Sequence, residues 1–164
     1  MEIEELFGLP AHPLLVHAAV VLLPLAALGT VMVAAIPKAR RSYAPLVLIV
    51  AIAALVSVGL AQGSGEEFED QVVETELTEE HTDQGETVLP WAIAVAVVAG
   101  AVAGAAAFRR RVPKVSAGAL TAGLVLAAVV ASAGATWTVI DVGHSGAEAT
   151  WDDLPAPEDA GHES

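Results

Sequence analysis

Histidine is the residue type in this chain best suited to site chemistry, and four of its five copies fall at the rims of apolar segments. His12 and His17 lie at the start of the first segment, His81 lies ahead of the third, and His144 follows the fourth. The remaining one, His162, sits in an acidic C-terminal stretch and is the poorest candidate. Imidazole ligates zinc, copper, nickel or haem iron. A compact centre would gather His17, His81 and His144 around one divalent metal ion, at about 2.0–2.1 Å if it were zinc. Glu80, Asp83 or Asp141 would then orient a ligand by accepting its second ring N–H. A b-type haem is the other cofactor the pattern admits, with two histidines as axial ligands. Against both readings, an isolated histidine at a membrane rim is more often a hydrogen-bonding residue than a ligand.

His12 and His17 are five residues apart. On a regular helix that spacing turns them roughly 140° from each other and separates them by about 7–8 Å along the axis. They must face different surfaces. His17 is expected to point into the interior, and His12, immediately before Pro13, to cap the helix or line an entrance.

The elements that would position these side chains are four apolar runs, 13–36, 44–61, 89–108 and 115–140, none of which contains Lys, Arg, Asp or Glu. A helix of about 20 residues crosses a hydrocarbon core roughly 30 Å thick. The expected fold is all-α, an integral membrane four-helix bundle. All 20 acidic residues lie on one side of the four runs and all seven basic residues on the other. Lys38, Arg40 and Arg41 fall between runs one and two, and Arg109, Arg110, Arg111 and Lys114 between runs three and four. Short loops rich in Lys and Arg stay cytoplasmic. The two termini and the 62–88 connection are therefore expected outside, in a plasma membrane, and His12, His17, His81 and His144 with them.

Charge and composition narrow the function. The 20 acidic residues behind the formal charge of −13 belong to the outer rim, where they favour cations and disfavour nucleic acid. It also suits a saline habitat. The chain has no cysteine, which removes disulfides, thiolate metal sites, a cysteine nucleophile and covalent haem attachment. The longest connection, about 27 residues, is too short for a soluble catalytic domain. Ser64, Ser116 and Ser145 lack a G-x-S-x-G setting, and neither a metalloprotease histidine pair nor a phosphate-binding glycine loop is present. No residue is assigned a catalytic role. Transport is disfavoured because the spans carry no ionisable residue in their interiors and show no repeated pair of discontinuous binding segments. The expected organisation is an outer segment over 1–12, a membrane domain over 13–146, and a flexible acidic tail over 147–164. Glu2, Glu4 and Glu5, with no basic neighbour, argue against a removable signal and for a retained first helix.

Finer features complete the picture. Pro24 should loosen or kink the first helix, Pro37 should mark its exit, and Pro45, Pro90 and Pro113 should sit where later helices begin. Trp91 and Trp137 are placed as interfacial anchors on the outer side, with Tyr43 opposite. Ala92, Ala96, Gly100 and Gly104, and likewise Ala119, Gly123, Ala127, Ala131 and Ala135, recur at four-residue spacing and are expected to form close-packing stripes that assemble the bundle or a homo-oligomer, or that make room for a macrocycle. Phe68, Val72, Val73, Leu77 and His81 suggest a short helix on the membrane surface or over the bundle.

Several of these residues together resemble a known family. The opening Gly8-Leu9-Pro10-Ala11-His12-Pro13-Leu14-Leu15-Val16-His17, the Gly59-Leu60-Ala61-Gln62-Gly63 segment, His81, and Gly143-His144-Ser145-Gly146 look like the DUF2231 family of bacterial and archaeal membrane proteins, over roughly residues 8–146. The resemblance implies a small four-helix membrane domain with outer-face histidines at positions 12, 17, 81 and 144, sometimes in redox contexts. This chain has Ala18-Ala19 where many relatives carry an aromatic residue or proline after the second opening histidine. Two functions are expected to compete: a haem- or metal-binding module in electron transfer, with a membrane redox partner, or a cofactor-free accessory subunit of a membrane complex.

Overall fold

The computed structural model describes residues 5–6, 9–69, 76–108 and 117–151, with side chains described over 12–65, 79–108 and 118–148. A two-residue antiparallel pairing, β1 (Glu5–Leu6) with β2 (Leu9–Pro10), leads into five helices: α1 (Ala11–Ala35), α2 (Pro37–Glu69), α3 (Glu76–Glu86), α4 (Val88–Phe108) and α5 (Ala117–Trp151). Four stretches are long and apolar enough to cross a membrane, and they belong to α1, α2, α4 and α5. Around the bundle α1 neighbours α2 and α5, and α4 neighbours α2 and α5. One end carries the start of α1, the end of α2, α3 and the end of α5, and with them the acidic residues among those described; the start of α2, with Lys38, Arg40 and Arg41, lies at the other.

The faces that pack follow a 3.5-residue repeat. In α4 the buried positions are Val88, Ala92, Val95, Ala99 and Val102, and in α5 they are Ala128, Ala131, Ala135, Thr138 and Ser145. Alternating steps of three and four keep a stripe on one face of a helix, whereas repeated steps of four drift by about 40° each. The four-spaced stripes read from the sequence therefore hold only locally. Ala131 and Ala135 are buried, but Ala119, Gly123 and Ala127 face outward. The small residues also leave no slot for a macrocycle between these faces. Ala92, Ala99, Ala131 and Ala135 pack into one continuous core with Leu23, Ala54 and Val95.

Helices α1 and α2 are joined by Ile36 alone, so the basic residues do not form a loop but occupy the first turns of α2. Pro37 opens α2 rather than merely ending α1, in keeping with proline's tolerance at a first helical position, and Pro45 lies within α2. Helix α1 runs unbroken through Pro24. Arg40 is buried and turns back on α1, donating from Nε to the Val33 carbonyl at 3.0 Å and from its guanidinium to Ala34. These are acceptors that the end of α1 leaves without intrahelical partners. The second basic turn, 109–114, and Pro113 lie outside the described residues.

Helix α2 continues well past the apolar run that ends at Ala61, and α5 well past the one that ends at Ile140. At about 1.5 Å per residue the overshoots are about 12 and 16 Å. They form a platform over which α3 lies, packed mainly against α5. Helix α3 carries Glu76, Glu79, Glu80, Asp83 and Glu86 in its eleven residues, a composition incompatible with hydrocarbon, so it sits beyond the membrane-crossing part of the bundle. It supplies part of the cap expected from the Phe68 to His81 stripe; Val72 and Val73 lie outside the described residues.

Candidate functional site

The face that α1 turns toward the bundle determines which histidine enters it. Ala19, Leu23, Ala26 and Ala27 are buried. Position 12 lies seven residues before Ala19, about two full turns, and shares that face; position 17 is two residues before it and roughly 200° away. His12 is accordingly half-buried against α2, with Nδ1 3.1 Å from the Ala61 carbonyl and 3.2 Å from Ser64 Oγ. His17 is exposed and donates from Nδ1 to Pro13, its own helix carbonyl, at 2.5 Å. The expected roles are thus reversed: His12 is the inward residue and His17 the outward one.

The same arithmetic applies to α5. The buried series Ala131, Thr138 and Ser145 proceeds in sevens, so once the helix continues beyond Ile140 the inward residue is Ser145 and not His144. His144 is 76% exposed and pairs with Glu148 four residues on, at 3.3 Å. His81 from α3 packs on this inward face, with Nδ1 3.1 Å from Ser145 Oγ. Ser145 in turn donates to the Val142 carbonyl at 3.2 Å.

Two glycines permit these approaches. A Cβ added at Gly65 would stand 3.2 Å from His12 Cε1, and one at Gly146 would stand 2.8 Å from His81 Cε1, below any ordinary carbon contact. Gln62 ties the layers together by donating from Nε2 to the Gly85 carbonyl of α3 at 3.1 Å. Burial first, and then the charge that His12 would carry, hold the His81 imidazole below its ordinary pKa, while a hydrogen bond with the Val142 backbone works in the other direction.

A carbonyl only accepts, so His12 donates from Nδ1 toward Ala61, as a ligating histidine does when a protein oxygen holds its other nitrogen. At His81 the Ser145 hydroxyl, with one proton and two lone pairs, can meet Nδ1 in either sense.

The three-histidine centre of His17, His81 and His144 does not assemble, because two of the three point outward; among the described residues no group of three or more His, Cys, Asp or Glu side chains is arranged to hold a metal. The carboxylates expected behind the ligands also face away. Glu80 accepts from Gln84 Nε2 at 3.1 Å, and Asp83 and Asp141 are exposed. Serine hydroxyls and backbone carbonyls orient the inward rings instead. Ser145 falls on the buried 3.5-residue face of α5, a signal readable in the sequence, whereas Ser64 is half-buried one position off the corresponding series in α2. His162 lies outside the described residues.

A family model described as "Predicted membrane protein (DUF2231)" matches residues 8–154. Neither a curated protein nor a solved structure matches.

Proposed function

The chain belongs to the DUF2231 family of predicted membrane proteins, and we propose that it is a membrane module that binds a transition-metal ion through His12 and His81 and passes electrons at its acidic end. The carrying observation is that two imidazoles from different helices meet the same platform with Nδ1 committed to protein oxygens. Imidazole is a ligand for a borderline metal such as copper, nickel or zinc, with electron transfer calling for copper or another redox-active ion. The basic first turns of α2 favour the cytoplasmic side, so the histidine end faces outward. There the acidic residues raise the local concentration of cations.

An ion suits the site better than a haem, since the helix faces that would have to part for a macrocycle are filled by Ala92, Val95, Ala99 and Ala135. The cofactor-free accessory subunit retains one supporting feature, a lipid-facing groove between α1 and α5 lined by Leu28, Val31, Thr136 and Trp137, into which a partner helix would fit.

Untagged protein purified in detergent separates the three readings by metal analysis and visible spectroscopy. Stoichiometric metal without a Soret band supports the two-histidine ion site, and a Soret band supports haem. Protein that takes up no added copper, nickel or zinc yet keeps a specific membrane partner supports the accessory subunit.

A further inference from the structure

Helix α2 has two faces with the same period. Arg40, Ala44, Ala51, Ala54 and Val58 are buried against the bundle. On the opposite side positions 38, 42, 45, 49, 52 and 56 recur in alternating steps of four and three, which keeps them on one face, and all are exposed. One half of that face is Ile49, Ile52 and Val56, in the apolar stretch that crosses the membrane. The other half is Lys38 and Ser42, with Arg41 beside them, three residues after Lys38. Only Ile36 separates α1 from α2, so these cations are set on the first turns of a continuous helix and not on a loop. Arg40 is withdrawn to the carbonyls of α1. Lys38 and Arg41 face outward, and among the described residues neither meets a carboxylate.

Pro45 marks the depth. With no N–H it cannot return the helical hydrogen bond to the Arg41 carbonyl, a loss tolerated where headgroups and water reach the backbone and costly in hydrocarbon. Lys38 lies about 10 Å from Pro45 along the axis and Ile49 about 6 Å beyond it on the other side, so one face runs from headgroup level into the apolar core.

We propose that this face of α2 seats an anionic phospholipid, its phosphate held by Lys38 and Arg41 and an acyl chain lying along Ile49, Ile52 and Val56. The pair suits a phosphate because arginine offers a fork of N–H donors and lysine a compact charge, and the Ser42 hydroxyl adds a third donor at the same level. The apolar half selects a lipid over a free phosphate, since a soluble anion would leave it unused. The cations also choose among lipids. A zwitterionic headgroup brings its own ammonium against them, whereas an anionic one adds no positive charge. One basic residue at the membrane surface favours anionic lipid by about fivefold, so the pair together is worth about 25-fold.

The test is photo-cross-linking of the full-length protein in vesicles of equimolar phosphatidylglycerol and phosphatidylcholine, with a benzophenone amino acid in place of Ile49. The control carries it in place of Leu28, an exposed position on α1 at similar depth, since the adjacent Gly29 packs against Val47; α1 has no Lys, Arg, Asp or Glu. Adducts at Ile49 should be enriched in phosphatidylglycerol over the bulk mixture, and adducts at Leu28 much less so. Lys38→Gln and Arg41→Gln should each lower the enrichment about fivefold, and the charge-preserving Lys38→Arg/Arg41→Lys double variant should keep it. Glycerol phosphate added in solution should leave it unchanged. Equal labelling of both lipids at Ile49, enrichment that survives the double glutamine variant, or equal enrichment at Leu28 would overturn the lipid seat. Displacement by glycerol phosphate would overturn the lipid as its occupant in favour of a free phosphate.

Discussion

Replacing Gly134 with alanine probes the packing that holds α4 against α5. Trp91 lays its six-membered ring on the backbone of Gly134, and a Cβ built there would sit 2.5 Å from Cδ2 and closer still to Cε3 and Cζ3. Carbon atoms pack at about 3.5–4.0 Å, so three ring atoms would each be overlapped by an ångström or more. No small adjustment relieves this, because the obstruction is a ring flanked by the buried Ala92 and Val95. The ring must leave its site or the helices must part. Overpacking of this kind costs about 1–3 kcal/mol, and Gly134→Ala is placed at the upper end of that range. The assay is equilibrium unfolding in mixed micelles, with Gly123→Ala as control, since nothing lies within 4 Å of a Cβ at Gly123. A double-mutant cycle adds the decisive comparison: in a Trp91→Ala background the cost of Gly134→Ala should nearly vanish, because the two residues are in contact. Equal stability of Gly134→Ala and Gly123→Ala in the wild-type background would refute the packing described here.

Two further outcomes follow from other parts of the fold. Arg40→Ala removes the donors that satisfy Val33 and Ala34 at the end of α1 and should cost about 1.5–3 kcal/mol, the range for hydrogen bonds to charged groups, whereas Arg41→Ala, on the exposed side, should cost less than about 0.5 kcal/mol; the same unfolding assay reads both. For His81 the folded pKa lies below the unfolded one, so the unfolded chain binds more protons between them, and stability falls as pH drops from about 6.5 through the lower folded value. Unfolding of wild type and His81→Gln across that window should show the wild-type stability falling relative to the variant as the solution is acidified; a constant difference would contradict the assignment.

The membrane-crossing architecture was readable because it rests on bulk quantities, namely runs free of charge and a strict division of acidic from basic residues. Helix ends were less readable. Gly63 and Gly143 resemble stop signals in the sequence, yet α2 and α5 continue through both, since the overshoots gain packing with α1 and α3 that local propensity does not reveal. That difference also changed the site. Once α5 continues, a rotation of about 100° per residue turns His144 to solvent and Ser145 inward. The exchange of His12 and His17 has a related origin: their separation was correctly read as two faces, but only the Ala19, Leu23 and Ala26 series says which face is buried. The sequence places Trp91 as an interfacial anchor like Trp137. Trp137 is 70% exposed, while Trp91 is held on a glycine that the four-spaced stripe passes over.

The proposed function requires His12 and His81 to bind the ion and His17 and His144 to stand apart from it. Copper(II) titration of the purified protein, read by electron paramagnetic resonance, tests it most directly through the nitrogen hyperfine pattern of bound imidazole. One tight site with two imidazole nitrogens is expected, reduced to one by either His12→Ala or His81→Ala and unchanged in the His17→Ala/His144→Ala double variant. A tight site that survives loss of both His12 and His81, or one abolished by the His17→Ala/His144→Ala pair, would contradict it.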